Sequence, residues 1–261
     1  MGHPRTGTER RRKAPAENDG PFEGGGAGQR AAGLSTAGLD RLCRHVAHDL
    51  RNGLAVLRTN VDYLEGLAPR DEAERAALGD LREVADRMEH GIDHLVYLVR
   101  YLSGTLTPSL QPISMDTWLR ALVRRLEEAP GPAAGRIRLE APEPARIWAD
   151  PALLERALRD LVLTRLAHTA APGPVELRFH RPPGWAELTV IDSGPPLSPA
   201  ARASFLDPRA PLGEGRLPAR EVEQGLVGPF CGAVVAAHGG QTRLEVVDGR
   251  NRFTLRLPQP G

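Results

Sequence analysis

The sequence predicts an α+β protein: an antiparallel helical hairpin that pairs with a second copy into a dimeric four-helix bundle, followed by a two-layer α/β sandwich. Three observations lead there. Two long consecutive segments carry apolar residues at steps of three and four. Each of these apolar stripes is too narrow to close a core with its neighbour alone, so a homodimer is expected. Beyond residue 111, helical patterns mix with short segments that alternate apolar and polar residues.

Residues 1–36 are expected to be a disordered tail. They are rich in Gly, Ala, Arg and Glu, with almost no large apolar residue besides Phe22 and Leu34, and cannot offset their ordering entropy. The hairpin is assigned to 37–104. Leu39, Leu42, Val46, Leu50, Leu54, Leu57, Val61 and Leu64 line its first helix, which Pro69 and its neighbours end. Its second helix runs from Asp71 to Leu102 on an unbroken heptad: Leu78, Leu81, Ala85, Met88, Ile92, Leu95, Val99 and Leu102. A Thr/Pro/Ser-rich linker, 105–111, leads into a domain over 112–261.

In that domain, Gln111 to Met115 reads as a short strand, and Asp116 opens a helix to about Glu127. Arg136 to Leu139 and Arg146 to Ala149 read as strands. Asp150-Pro151 then opens a helix to His168, with Asp at the cap and Pro in the first turn. Val175 to Phe179 and Ala186 to Ile191 alternate like paired strands. Proline-rich loops separate them from an apolar helix around Phe230 to His238. Thr242 to Val247 and Arg252 to Leu257 form a hairpin about Asp248-Gly249.

Composition narrows the chemistry. A net charge of +1 argues against nucleic acid as a partner. The two cysteines, Cys43 and Cys231, lie far apart, which points to a reducing compartment rather than a disulfide scaffold. No apolar run approaches the roughly 18 residues that span a bilayer, so the expectation is a cytoplasmic protein with no membrane contact. Of 34 basic side chains only Lys13 is lysine, which excludes Schiff-base chemistry and a P-loop.

His48 sits opposite the apolar stripe of the first helix, on a face shared with Arg41, His45 and Asn52. A core role is disfavoured. A metal role through His45 and His48 lacks a third ligand, and no metal ligands are assigned on that face.

The string His48-Asp49-Leu50-Arg51-Asn52-Gly53-Leu54 resembles the H-box of two-component sensor histidine kinases. The resemblance implies that His48 is the phosphoacceptor, Asp49 its base, and Asn52 the group that positions water during dephosphorylation of a response regulator. Gly53 stands where that family usually has proline. The domain over 112–261 is likewise similar to the family's ATP-binding sandwich of the GHKL type. Asp150, Pro151, Leu154, Leu158, Leu161 and Thr169 match its N-box helix, Asp-Pro-x-x-Leu…Leu-x-Asn-Leu-Leu-x-Asn-Ala-x-Lys-x-Thr. Thr164 stands in place of the magnesium-binding Asn, Ala167 in place of the phosphate-facing Lys, and Asp160 in place of the other Asn.

Asp192 and Gly194 match the first glycine box, whose Asp reads the adenine amino group, but Pro196 replaces its second Gly. Gly225 opens the second glycine-rich segment. The candidate nucleotide-site residues are therefore Thr164, Asp192, Gly194 and Gly225, with the Thr164 hydroxyl and the Arg165 charge left to serve metal and phosphate. Three mechanisms follow: a phosphotransfer protein exchanging phosphate between His48 and a response-regulator aspartate with little use of ATP, a divergent autokinase using ATP and Mg²⁺, or a non-catalytic dimeric adaptor. The first is preferred, because the residues that build the fold persist while those that position a triphosphate are mostly gone.

Overall fold

The computed structural model describes residues 36–67, 71–129, 133–140, 144–170, 173–210 and 226–260. The expected disordered tail lies outside them except for Thr36, and Gly225 lies outside them too. Helices α1 (Thr36–Gly66) and α2 (Glu72–Leu102) form the antiparallel hairpin. Asp71 caps α2 by accepting a hydrogen bond from the Glu74 amide at 2.9 Å.

Each expected stripe divides into two, and on α1 the inner row takes up Ala47, which the expected stripe did not include, while Val46, which it did, is exposed. Ala47, Leu54 and Val61 of α1, with Leu78, Ala85 and Ile92 of α2, repeat every seven residues and are buried within the hairpin. The alternate positions, Leu50, Leu57 and Leu64 on α1 and Leu81, Met88, Leu95 and Leu102 on α2, are 36–50% exposed. The hairpin register is marked by ion pairs across it: Arg51 with Asp93, Arg58 with Glu89, and Arg82 with Asp62 and Glu65. No helix among the described residues is long and apolar enough to cross a membrane.

The rest is a sheet with helices on one side. Strands β1 (Gln111–Ser114) and β3 (Arg146–Ala149) pair antiparallel as a small ribbon. Strands β2 (Ile137–Glu140), β4 (Val175–His180), β5 (Trp185–Asp192), β7 (Arg250–Pro258) and β6 (Gln241–Val247) form the main sheet in that order. β2 and β4 are parallel, and the other neighbours are antiparallel. The two-residue turn between β6 and β7 places Asp248 and Gly249 at φ 52° and 75°, as a twisted hairpin requires.

Strict alternation gives the sheet one buried face, with Ala186, Leu188 and Val190 of β5 opposite Leu257, Leu255 and Phe253 of β7. Packed on it are α3 (Met115–Glu128), α4 (Pro151–His168) and α6 (Val227–Ala237), with a short α5 (Pro199–Ser204) within the expected loop region. Asp150 fixes the start of α4. Its Oδ1 accepts from the amides of Ala152 and Leu153, its Oδ2 accepts from Ser109, and its own amide donates to Nε2 of His238. His238 Nδ1 donates to the Val234 carbonyl, so the ring is held neutral, and burial pulls its pKa below the ordinary value.

A third face of α2, which a two-position heptad does not reveal, joins hairpin to sandwich. His94 is 3% exposed, stacks on Phe230 of α6 with ring centroids 4.6 Å apart, and donates from Nε2 to Oδ2 of Asp160 on α4 at 2.8 Å. Asp93 bridges Arg51 of α1 and Arg156 of α4. Burial pushes the Asp160 carboxyl up, but the His94 hydrogen bond and the nearby Arg159 outweigh it and leave the group below the usual carboxylate range. Asp93 is lowered in the same way by Arg51 and Arg156.

Two outcomes follow. Asp150→Ala removes the cap and is expected to cost about 1 to 2 kcal/mol in a urea-denaturation experiment. Because Asp93 and Asp160 have folded pKa values below their unfolded ones, their contribution is present above about pH 4 and is lost as pH falls through the folded values. Stability measured from pH 6 downward should therefore fall on acidification, and less steeply in Asp160→Asn.

Candidate functional site

The phosphoacceptor candidate stands on an uninterrupted helix. Gly53, with open space where a Cβ would lie, does not break the ladder of α1. The His48 side chain is 70% exposed and that of Asp49 is 65% exposed. Oδ1 of Asp49 lies 3.4 Å from Nδ1 of His48, and Nδ2 of Asn52, one turn on, lies 3.2 Å from the same nitrogen. Either partner engages Nδ1 and leaves Nε2 facing solvent. When Nδ1 carries its proton toward Asp49, Nε2 holds the free lone pair.

His45 lies one turn earlier, its Nε2 3.9 Å from Asp49. A groove lined by Gly38, Arg41, Leu42, Arg44, His45 and His48 opens beside the imidazole and supplies two guanidinium groups near it. Arg51, between His48 and Asn52 in sequence, turns away to donate to Asp93 from Nε at 3.0 Å and from a terminal nitrogen at 2.5 Å. This anchors the helix turn that carries His48 to α2.

The second group of candidates lies where α4 meets the end of β5. Asp192 is fully buried. Its Oδ1 accepts hydrogen bonds from the Gly194 amide at 2.8 Å and from Nδ2 of Asn251 at 3.0 Å. Asn251, opposite Asp192 on β7, also donates to the Pro195 carbonyl and accepts from the Leu197 amide, so one side chain pins the whole 192–197 loop. Gly194 is required by close approach: a Cβ there would lie 2.6 Å from the His168 carbonyl oxygen. Thr164 is half-buried, and Ala167 is exposed with no polar group to offer.

Arg165 departs from expectation. Its side chain does not reach toward a phosphate. It is 2% exposed and turned inward, with Nε 3.3 Å from Oδ2 of Asp192. Its guanidinium carbon lies 5.1 Å from the ring centroid of Phe253 and 5.9 Å from that of Phe205. The physical reason is charge. Asp192 is fully buried, and Arg165 lies one turn from the end of α4, facing it. Burial pulls the guanidinium below its ordinary pKa, and Asp192 partly restores it.

Asp192 faces an internal cation, Thr164 carries a hydroxyl where the N-box has Asn, and Ala167 offers no polar group where it has Lys. His94, Asp93, Asn251 and the inward Arg165 are the residues that sequence reasoning missed. Only Asn251, adjacent to the Asp248-Gly249 turn and so opposite the end of β5, was open to inference from strand pairing.

Residues 149–261 match the family described as histidine kinase-, DNA gyrase B-, and HSP90-like ATPase. The sensor protein KdpD of Escherichia coli is 26% identical over 217 residues, covering 82% of this chain and 24% of that protein. The sensor histidine kinase ZraS of Klebsiella oxytoca is 27% identical over 235 residues, covering 85% and 46%. The sensor protein CopS of Pseudomonas syringae pv. tomato is 24% identical over 164 residues, covering 62% and 33%. The chain thus spans about a quarter to a half of the length of these relatives.

Two solved structures share the fold. ShkA in complex with AMPPNP has a TM-score of 0.64 at 21% identity, over 84% of this chain and 46% of that one. The Acinetobacter baumannii histidine kinase AdeS has a TM-score of 0.57 at 15% identity, over 82% and 98%. Residues 149–261 thus match the histidine kinase-, DNA gyrase B-, and HSP90-like ATPase family, and over most of its length the chain is similar to sensor histidine kinases.

Proposed function

We propose that this protein exchanges a phosphoryl group between His48 and an aspartate of a response-regulator receiver domain, with little or no autophosphorylation from ATP. The observation that carries the reading is the contrast between two sites on one chain. His48 is exposed, with Nε2 free and Asp49 and Asn52 at Nδ1, whereas Asp192 is buried against Arg165.

In the forward step Nε2 of His48 attacks the phosphorus of the receiver's aspartyl phosphate. The P–N bond forms as the P–O bond breaks, and the aspartate leaves as a carboxylate. Asp49 accepts the Nδ1 proton of the imidazolium that results. The reverse step returns phosphate to a receiver. Asn52, one turn from His48, is positioned to hold a water when the phosphoaspartate is hydrolysed instead. The arginines of the groove beside His48 supply positive charge to the transferring group.

The homodimer is part of the same proposal. The outer stripe of Leu50, Leu57 and Leu64 with Leu81, Met88, Leu95 and Leu102 is an exposed apolar row along both helices of the hairpin, and a second copy of that row matches it by two-fold symmetry. Retention of Asp192 and Gly194 favours one other reading, a divergent autokinase. The domain boundaries 37–104, 105–111 and 112–261 and a cytoplasmic setting complete the proposal.

Incubation with a phosphorylated receiver domain is expected to give acid-labile label on the wild type and none on His48→Gln. Label persisting in His48→Gln overturns the assignment, and efficient labelling from ATP in place of a phosphoreceiver selects the autokinase. Leu57→Asp with Met88→Asp is expected to halve the mass measured by light scattering. A wild type that is already monomeric at micromolar concentration refutes the dimer.

A further inference from the structure

We propose that Arg165 is a resident occupant of the domain's adenine position, a side chain of the chain itself standing where a planar, amine-bearing base would lie. The inference rests on the reading of 149–261 as an ATPase-type domain that makes little use of ATP, and it assigns the cause to one residue. Three observations meet at this point.

The first is place. Arg165 stands where the N-box quoted above has alanine, so a long side chain fills a position that the motif keeps small. The second is the shape of the surroundings. The guanidinium is flat and lies near the rings of Phe205 and Phe253, walls suited to any flat polar group.

The third is the unfinished hydrogen bonding of Asp192. Its Oδ1 is satisfied by Gly194 and Asn251, but Oδ2 is buried and has no hydrogen-bond partner among the described residues. Arg165 meets Oδ2 as an ion pair at 3.3 Å. The buried carboxylate oxygen has room in its hydrogen bonding for an N–H donor, and Arg165 supplies the charge opposite it. An adenine amino group is such a donor. Guanine presents a carbonyl oxygen at the same edge and would be repelled.

Arg165→Ala should vacate the position and uncover a base-binding site. In the full-length chain, calorimetric titration of the wild type with adenosine and with ADP is expected to show no binding up to millimolar ligand. Arg165→Ala is expected to bind both at least about tenfold more tightly than that limit, and guanosine not at all. Equal absence of binding in wild type and Arg165→Ala overturns the occupancy, while leaving phosphotransfer through His48 untouched. Micromolar binding by the wild type overturns both the occupancy and the ATP-poor reading, and phosphotransfer remains separately tested by His48→Gln.

Should Arg165→Ala not fold unaided, it is refolded with adenosine or with methylguanidinium. Recovery with adenosine supports the proposal. Recovery with methylguanidinium alone, or with neither, makes Arg165 purely structural and refutes it.

Discussion

A carboxylate that is nearly buried must find its partners inside the protein, and those of Asp160 come from both halves of this molecule. His94 reaches it from the hairpin and Arg159 from its own helix. With Phe230 stacked on the imidazole, this contact makes a single packed interior out of two pieces whose own cores are otherwise separate. Asp93 extends the same logic outward, since one carboxylate holds Arg156 of the sandwich and Arg51 of the helix that presents His48. The orientation of the sandwich and the footing of the exposed histidine therefore share one set of charges.

Much of the secondary structure was legible because it is written in periodicity. The steps of three and four that predict α1 and α2, the Asp150-Pro151 start of α4 and the Asp248-Gly249 turn are local signals, and each corresponds to an element of the structure. The exposure of His48 was legible for the same reason, as the far side of a wheel. What periodicity does not encode is a third face. His94 and Tyr97 look like ordinary polar and aromatic residues of an amphipathic helix until α6 places Phe230 against them. Arg165 is hidden more deeply: an arginine near a helix C-terminus reads as a solvent-facing cation, and only tertiary packing reveals the buried carboxylate that turns it inward.

The two candidate sites therefore depart from the motifs they resemble in opposite ways. The hairpin keeps the exposed side chains of the H-box pattern and changes only Gly53 within it, where the backbone tolerates it. The sandwich keeps its strand order, its cap and its loop-pinning Asn251, and sets Asp192 against an internal cation. The sandwich is a large, well-packed body fixed to the hairpin.

The arginine bias has a consequence outside folding. Every basic partner of the ion pairs described above is arginine or histidine, and Lys13 is the sole lysine of the sequence. From residue 36 to residue 261 there is no side-chain primary amine. Acetylation, ubiquitin-type conjugation and amine-directed cross-linking have no lysine handle anywhere on the hairpin or the sandwich, so the guanidinium network that joins them is out of reach of the covalent edits that commonly erase lysine charges.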